Sequence, residues 1–168
     1  ISLSSGKKVD FIISRKFTIP VDKDNVIKYG ILDEKYRDII PDEITLEIPK
    51  GKDYLTKPEL FMLDLLSDYR WDRPLHFLNM GGDLNIGIKD YLMYEGYSCK
   101  FIPIKNKISS SDAGFVDTDH LYELMHDVYR HDALCRDDYF IDYQNYYTFM
   151  GVMNLRTMFC TAARAFVK

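Results

Sequence analysis

The stretch that decides the fold is Thr56–Lys105, TKPELFMLDLLSDYRWDRPLHFLNMGGDLNIGIKDYLMYEGYSCKFIPIK. Two apolar runs with helical spacing, around Leu60–Tyr69 and Ile86–Tyr94, alternate with two strand-like runs, Leu75–Leu78 and Tyr97–Ile104. Such alternation is typical of strands joined by crossover helices, which place the strands parallel in one sheet. The sequence therefore predicts an α/β domain with a mixed, mostly parallel sheet of about five strands flanked by helices. An α+β arrangement is the alternative.

The segments on either side of this stretch supply further elements. Phe17–Val21 and Ile44–Ile48 are rich in β-branched and alternating apolar residues, which predicts two strands. Asp117 or Thr118 can cap a later helix with a side-chain oxygen. Residues 146–168 place apolar side chains at helical spacing and predict a terminal helix.

The helix at the start of the central stretch has a clear beginning and an unusual surface. Thr56 and Glu59 have the spacing of a capping box. Leu60 and Phe61 open a run that is apolar almost all round, and such a helix has to be covered on more than one side. We expect a central helix of a single domain, with a subunit interface as the alternative.

Composition and charge exclude several classes of protein. The 168 residues carry a formal net charge of −4 with scattered Lys and Arg, whereas a nucleic-acid-binding surface concentrates positive charge. Cys99, Cys135 and Cys160 are odd in number and widely spaced, which disfavours a disulfide framework or a thiolate zinc site. The longest uncharged apolar stretch, Tyr146–Leu155, has about half the length of a membrane-spanning helix. We predict a single soluble domain over residues 1–168 that binds no nucleic acid, spans no bilayer and uses no cofactor.

The glycine pair after Leu75–Leu78 is the most distinctive local feature. Gly81, Gly82 and Asp83 follow a predicted strand, where backbone N–H groups can approach an anionic ligand. The spacing fits neither the dinucleotide fingerprint nor the phosphate-binding loop. A tight turn without a ligand is the simpler interpretation.

Aromatic and acidic residues of the same stretch suggest a carbohydrate platform. Trp71 and Tyr91 offer rings for stacking, and Asp90 offers a carboxylate for sugar hydroxyls. A single Trp beside an apolar helix is more often a core or boundary residue. The candidate binding residues are Trp71, Arg73, Asn79, Gly81, Gly82, Asp83, Asp90 and Tyr91.

No pattern typical of catalysis or metal binding is present in the sequence. His120, His126 and His131 are separated by six and five residues, which does not place two imidazoles on one helical face. No Ser lies in a nucleophile elbow, and no Cys has a base nearby in sequence.

Several strings, taken together, resemble a known family. They are VDFIISRKFTIPVDK (9–23), ITLEIPKGKDYLTKPELFMLDLL (44–66), WDRPLHFLNMGGDLNIGIKDYLMYEGYSCKFIPIK (71–105), DTDHLYELM (117–125) and NYYTFMGVMNLRTMFCTAARAFV (145–167). The chain resembles the extramembrane C-terminal region of a bacterial multi-spanning membrane protein family once known only as a domain of unknown function. That family is similar to glycosyltransferases of the protein O-mannosyltransferase type, which use a lipid-linked sugar.

The resemblance implies a non-catalytic accessory domain on the periplasmic side of the inner membrane. The catalytic carboxylate of such transferases belongs to the membrane-embedded part, so no catalytic residue is carried over to this chain. The partners implied are the membrane-embedded part of the same chain and an acceptor protein or glycan. Matched positions that belong to the family's motifs are Trp71, Arg73, Pro74, Gly82, Asp90, Tyr91, Glu95, Gly96 and Pro103.

Two alternatives remain open at this stage. One is a purely structural module that joins the membrane part to helical repeats, and the other is a free-standing enzyme that binds a sugar or nucleotide at the glycine turn. Ile1 is not Met, and Lys168 lies within a helical pattern that no Gly or Pro ends. We therefore expect a piece of a longer membrane protein whose terminal helix, residues 146–168, leads into helical repeats.

Overall fold

Two small antiparallel sheets form the framework of the structure, which is a computed structural model. It describes residues 12, 14–78, 84, 86–106, 115–130, 132, 136–138, 142–143 and 152–167. The first sheet pairs β1 (Lys16–Pro20) with β2 (Glu43–Glu47). The second sheet has β5 (Cys99–Phe101) between β3 (His76–Phe77) and β4 (Leu92–Tyr94).

The predicted α/β fold with a mostly parallel sheet is wrong, and the reason lies in Ile86–Tyr94. This run is not a crossover helix: a short 3₁₀ helix at Ile88–Tyr91 leads directly into β4. A turn at residues 95–98 then returns the chain into β5, and so short a connection can join only antiparallel strands. Leu92 and Met93 are both buried, so β4 lacks the alternation that separates a strand from a helix in sequence.

The two strands predicted before the central stretch are confirmed, with slightly different ends. Ile19 of β1 lies opposite Ile44 of β2, and both are buried. Leu46 is also buried, whereas Thr18 and Thr45 form a cross-strand pair on the other face. This sheet therefore has one apolar face toward the core, as the alternating sequence indicates.

Helices lie between and after the strands. They are α1 (Lys23–Lys28), a 3₁₀ helix (Glu34–Ile39), α2 (Lys57–Ser67), α3 (Thr118–Glu123) continued by a π-helical turn (Leu124–Val128), and α4 (Val152–Val167). Antiparallel sheets with separate helices make an α+β arrangement. Among the described helices, none combines the length and apolarity needed to cross a bilayer.

The capping box of α2 is confirmed, but the expectation of a central, covered helix is wrong. Glu59 is buried and accepts hydrogen bonds from the Thr56 backbone N–H (2.8 Å) and hydroxyl (2.9 Å). Leu66 is fully buried, whereas Leu60 and Phe61 are 52% and 66% exposed. One side of α2 therefore packs on the core and the other presents apolar side chains at the surface.

Trp71 joins the two sheets. Its indole N–H donates a 2.8 Å hydrogen bond to the Pro20 carbonyl at the end of β1. Its ring stacks on Phe101 of β5, with centroids 5.4 Å apart and planes at 9°, and Tyr69 packs at 4.8 Å. The side chain is fully buried, so one residue of the α2–β3 connection ties both sheets into a single core.

Gly87 marks the place where the 3₁₀ helix before β4 approaches the first sheet most closely. Its φ is +84°, and a Cβ there would lie 2.7 Å from the Glu47 backbone nitrogen and 2.9 Å from the Glu47 carbonyl oxygen. No side-chain rotation relieves a clash with backbone. A residue larger than Gly therefore forces β2 and the 3₁₀ helix apart.

We predict that Gly87→Ala lowers the free energy of unfolding by about 2–4 kcal/mol, because left-handed backbone strain adds to the clash. Chemical denaturation measures the loss. Gly51→Ala is the matched control, since its Cβ meets nothing within 4 Å and its φ is not positive. Equal stabilities of the two variants would contradict the close approach.

Candidate functional site

The structure places Trp71 in the core and not in a binding surface. The side chain is fully buried, and its ring is engaged by Phe101 and Tyr69. A sugar stacks on an aromatic face only when that face is reachable. The indole is therefore not reachable by a sugar, and it instead anchors the turn between α2 and β3 in the core.

Two other candidate residues, Asp90 and Tyr91, lie in the 3₁₀ helix before β4. Tyr91 is buried, and its hydroxyl donates a 3.0 Å hydrogen bond to the Thr45 carbonyl of β2. Asp90 is half-exposed, and its carboxylate lies 3.4 Å from Lys105 Nζ. Neither residue lines the depression that contains Arg73. Asn79, Gly81, Gly82 and Asp83, the residues of the predicted ligand-binding turn, lie outside the described residues.

Arg73 lies in an open surface depression where α2 ends. The depression has a volume of about 470 Å³, which is within the usual range of roughly 300–1,000 Å³ for small-ligand sites. Its lining consists of the last turn of α2 and the turn that follows: Asp64, Leu65, Asp68, Tyr69, Arg70, Asp72 and Arg73. It is the place in the described structure where a sequence-predicted binding residue meets a cavity large enough for a ligand.

The turn that lines this depression is held rigidly from behind. Trp71 has a φ of +57°, a left-handed conformation that is rare for a residue with a bulky side chain. The Arg70 carbonyl accepts from Asn25 Nδ2 (3.0 Å), and the Arg73 carbonyl accepts from the Tyr69 hydroxyl (2.6 Å). Strained backbone persists only where its surroundings fix it, and such strain is concentrated at functional sites.

Acidic and basic side chains both line the depression. Asp64, Asp68 and Asp72 supply three exposed carboxylates, and the exposed Arg70 and Arg73 supply two guanidinium groups. Within the described part of the chain, neither guanidinium has an ion-pair partner, so its N–H donors face solvent. Carboxylates accept from hydroxyl groups and guanidinium groups donate to oxygen atoms, so the lining suits a ligand rich in hydroxyl or amide groups.

A second polar site, with a buried acid–base pair between two partly exposed histidines, lies where the second sheet meets α3. We call Glu95, Lys100, His76 and His120 the Glu95 cluster. Glu95 Oε1 lies 2.6 Å from Lys100 Nζ and 3.3 Å from His120 Nε2, and Oε2 lies 3.4 Å from His76 Nδ1. The Glu95 and Lys100 side chains are only 6% and 8% exposed, so the two opposite charges compensate each other away from water.

Asp117, the N-cap of α3, forms the centre of a neighbouring ion pair. It accepts from Lys35 Nζ (3.1 Å to Oδ1) and the Tyr36 hydroxyl (2.8 Å to Oδ2), and its Oδ1 caps the His120 N–H (3.3 Å). Desolvation alone would raise the pKa of Asp117, but these three hydrogen bonds and the charge of Lys35 outweigh it and lower the pKa. The ionised carboxylate therefore stabilises the start of α3.

A small polar cavity separates the two carboxylate centres. Its volume is about 40 Å³, and Lys100, Asp117, His120 and Tyr36 are among its lining residues. A cavity of this size and polarity has room for a few ordered water molecules but not for an organic ligand.

The described residues offer little for covalent or metal chemistry. No group of three or more His, Cys, Asp or Glu among them is placed to hold a metal ion. Burial, together with the charge of Glu95, raises the pKa of the Cys99 thiol to about 12, so it is not a thiolate at neutral pH. The lining of the depression does offer hydrogen-bond donors, hydrogen-bond acceptors and charge.

Reasoning from the sequence did not find the Glu95 cluster. Its four residues come from three strand regions and one helix, and no local spacing connects them. One signal was available: Lys100 lies between Cys99 and Phe101 in an apolar strand-like run, and a Lys in a buried strand needs a carboxylate partner.

These observations define a small α+β domain with an open polar depression and a buried ionic cluster. The family model for TMEM260-associated domain 2 matches residues 1–120, and the chain belongs to this family. It is thus an accessory domain associated with a membrane protein, in agreement with the resemblance to a membrane-protein family. No curated protein and no solved structure matches the chain.

We predict that Asp117→Asn lowers the free energy of unfolding by roughly 1–3 kcal/mol at pH 7, because it keeps a capping oxygen but removes the charge that Lys35 and Tyr36 hold. A carboxylate with a lowered pKa contributes stability above its ordinary pKa of 3.8 and loses it as pH falls through the folded-state value. The difference from the unmodified protein should therefore shrink in strong acid. Asp119→Asn, at a carboxylate 90% exposed, is the control and should change stability little.

Proposed function

We propose that this chain is the extracytoplasmic accessory domain of a membrane-embedded glycosyltransferase-like protein and helps to position an acceptor protein or the lipid-linked sugar donor. Membership of the TMEM260-associated domain 2 family carries the proposal, because it links the chain to a membrane protein. The resemblance of the chain, most specific over residues 71–105, is to the extramembrane region of a membrane-protein family, and the similarity of that family to transferases of the protein O-mannosyltransferase type supports the choice of reaction.

The depression at the end of α2 is the part of this domain best suited to such a role. Arg70 and Arg73 present donors to solvent, and carboxylates lie beside them, so a sugar or a polypeptide backbone can be bound through several weak polar contacts. A rigid turn behind the lining lowers the entropy that binding has to overcome. The chemistry of transfer itself would take place in the membrane-embedded part.

A second function is favoured by the apolar side of α2. Leu60 and Phe61 are more than half exposed, and they lie on the helix that also lines the depression. Exposed apolar side chains at a surface are typical of a contact with another protein segment. A structural module that packs against the membrane-embedded part would cover them.

Binding experiments with defined probes distinguish the two functions. We predict that a Ser/Thr-rich peptide or a mannosyl phosphate perturbs the NMR signals of the Arg70 and Arg73 side chains, with a dissociation constant in the millimolar range. The double variant Arg70→Gln/Arg73→Gln should weaken this binding by about tenfold or more, because charge-assisted hydrogen bonds are lost. Both side chains are exposed, so the variant should fold normally.

The matched control is Arg164→Gln, an exposed arginine in α4 outside the depression, which should leave binding unchanged. If no probe perturbs the depression, the recognition role fails. Loss of assembly with the membrane-embedded part on Phe61→Ser would then favour the structural module.

A further inference from the structure

The Glu95 cluster lies at the junction between the second sheet and the C-terminal helices. Glu95 follows β4, His76 belongs to β3, Lys100 to β5 and His120 to α3. The Glu95 backbone takes part as well, since its carbonyl accepts a 2.6 Å hydrogen bond from the Tyr129 hydroxyl after the π-helical turn. A single buried residue therefore contacts α3 with its side chain and the end of the following turn with its backbone.

Apolar contacts cross the same junction. Met158 of α4 and Tyr129 lie so close to Gly96 that a Cβ there would be 3.0 and 3.1 Å from them. Leu121 is the buried residue of α3. The junction thus combines apolar contacts with the buried ion pair of Glu95 and Lys100, whereas Trp71 and Phe101 stack within the apolar core.

Charge balance in the cluster changes when the His76 imidazole takes up a proton. With this ring neutral, one carboxylate faces one ammonium group. With the ring charged, two positive groups face the same buried carboxylate, Lys100 Nζ at 2.6 Å and His76 Nδ1 at 3.4 Å. Solvent reaches the His76 ring, which is 40% exposed, but a positive charge on it still repels the buried Lys100 ammonium group across a partly desolvated contact.

Among the residues that the structure describes, no carboxylate other than Glu95 lies within ion-pair distance of His76. The ionisable side chains around the cluster include the Cys99 thiol in β5, the Tyr94 and Tyr129 hydroxyls, Asp33, Lys35, Tyr36, and Asp117 and Asp119 at the start of α3. Asp117 is already held by Lys35 and Tyr36, and Asp119 is 90% exposed and faces Lys35. Within the described residues, a proton on His76 is therefore opposed only by Glu95, which Lys100 already holds.

We propose that the Glu95 cluster is a proton-sensitive junction, which fastens α3 and the segment after it to the second sheet at neutral pH and loosens in mild acid. This regulatory role is separate from recognition at the depression. It concerns how the C-terminal helices are attached and not what the domain binds.

The pKa of His76 determines whether the junction is weakened or strengthened as the pH falls. Burial lowers its pKa below the ordinary 6.5, Lys100 lowers it further, and the attraction of Glu95 only partly opposes them. A histidine with a lowered pKa contributes stability that is present above 6.5 and is lost as pH falls from 6.5 through the folded-state value. The junction should therefore weaken between neutral pH and about pH 5.

The first test measures attachment of α3 directly. Amide hydrogen exchange is followed at pH 7 and at about pH 5.5, and protection factors correct for the chemical rate. We expect the protection factors of α3 amides to fall several-fold in acid while those of the β1–β2 hairpin stay constant. Unchanged protection in α3, or equal loss in the hairpin, would overturn the proposal.

Substitutions then identify the group responsible. His76→Gln removes the titrating ring but can still contact Ser98, whose Oγ lies 3.2 Å from His76 Nδ1, and it should abolish most of the acid sensitivity. His126→Gln is the matched control, because His126 is 66% exposed and pairs with Asp127 outside the cluster. Acid sensitivity that persists in His76→Gln would refute the assignment.

A direct titration keeps the proposal testable even if a variant folds poorly. The NMR chemical shift of the His76 ring in the unmodified protein should give a pKa below 6.5. In Glu95→Gln the attraction to the carboxylate is gone, so the pKa should fall further. A His76 pKa at or above 6.5 in the unmodified protein would exclude a proton-sensitive junction of this kind.

Discussion

The contacts of the Trp71 indole are the constraint on which the rest of the structure depends. Its N–H fixes the end of β1 through Pro20, and its ring stacks on Phe101 in the central strand of the other sheet. An isolated two-stranded antiparallel sheet is marginally stable by itself, and it gains stability when its apolar face packs in a core shared with the second sheet. A buried aromatic residue that contacts both sheets supplies that core with a fixed orientation.

The same anchor explains why the depression exists. To reach the core, Trp71 adopts a φ of +57°, and this turns the backbone so that Arg70 and Arg73 on either side point away from it. The strain is offset by the buried ring and by hydrogen bonds to the flanking carbonyls. Core packing and the shape of the depression are thus linked here, because the residue that organises the core also sets the lining of the depression.

Local signals in the sequence were sufficient where neighbouring residues alone determine the element. The alternation of Ile44 and Leu46 identified β2, the Thr56–Glu59 pair identified the start of α2, and Asp117 was recognised as one of two possible caps for α3. The path of Ile86–Tyr94 was not determined locally. Its apolar run is compatible with a helix or a doubly buried strand, and the 3₁₀ turn that decides between them depends on the approach of Gly87 to Glu47.

Local sequence predicts even less about the candidate sites than about the fold. Arg73 was found through its place in a motif, but the depression needs the end of α2 and a strained turn, neither of which a residue pattern specifies. The Glu95 cluster brings together residues from four elements, so its members acquire meaning only once β4, β5 and α3 are in place. A buried Lys100 needs a carboxylate as its ion-pair partner. The sequence contains 26 acidic residues and does not indicate which of them is that partner. The turn at residues 95–98 determines the partner, because it pairs β4 with β5 and so brings Glu95 beside Lys100. Glu95 also lies 3.3 Å from His120 of α3.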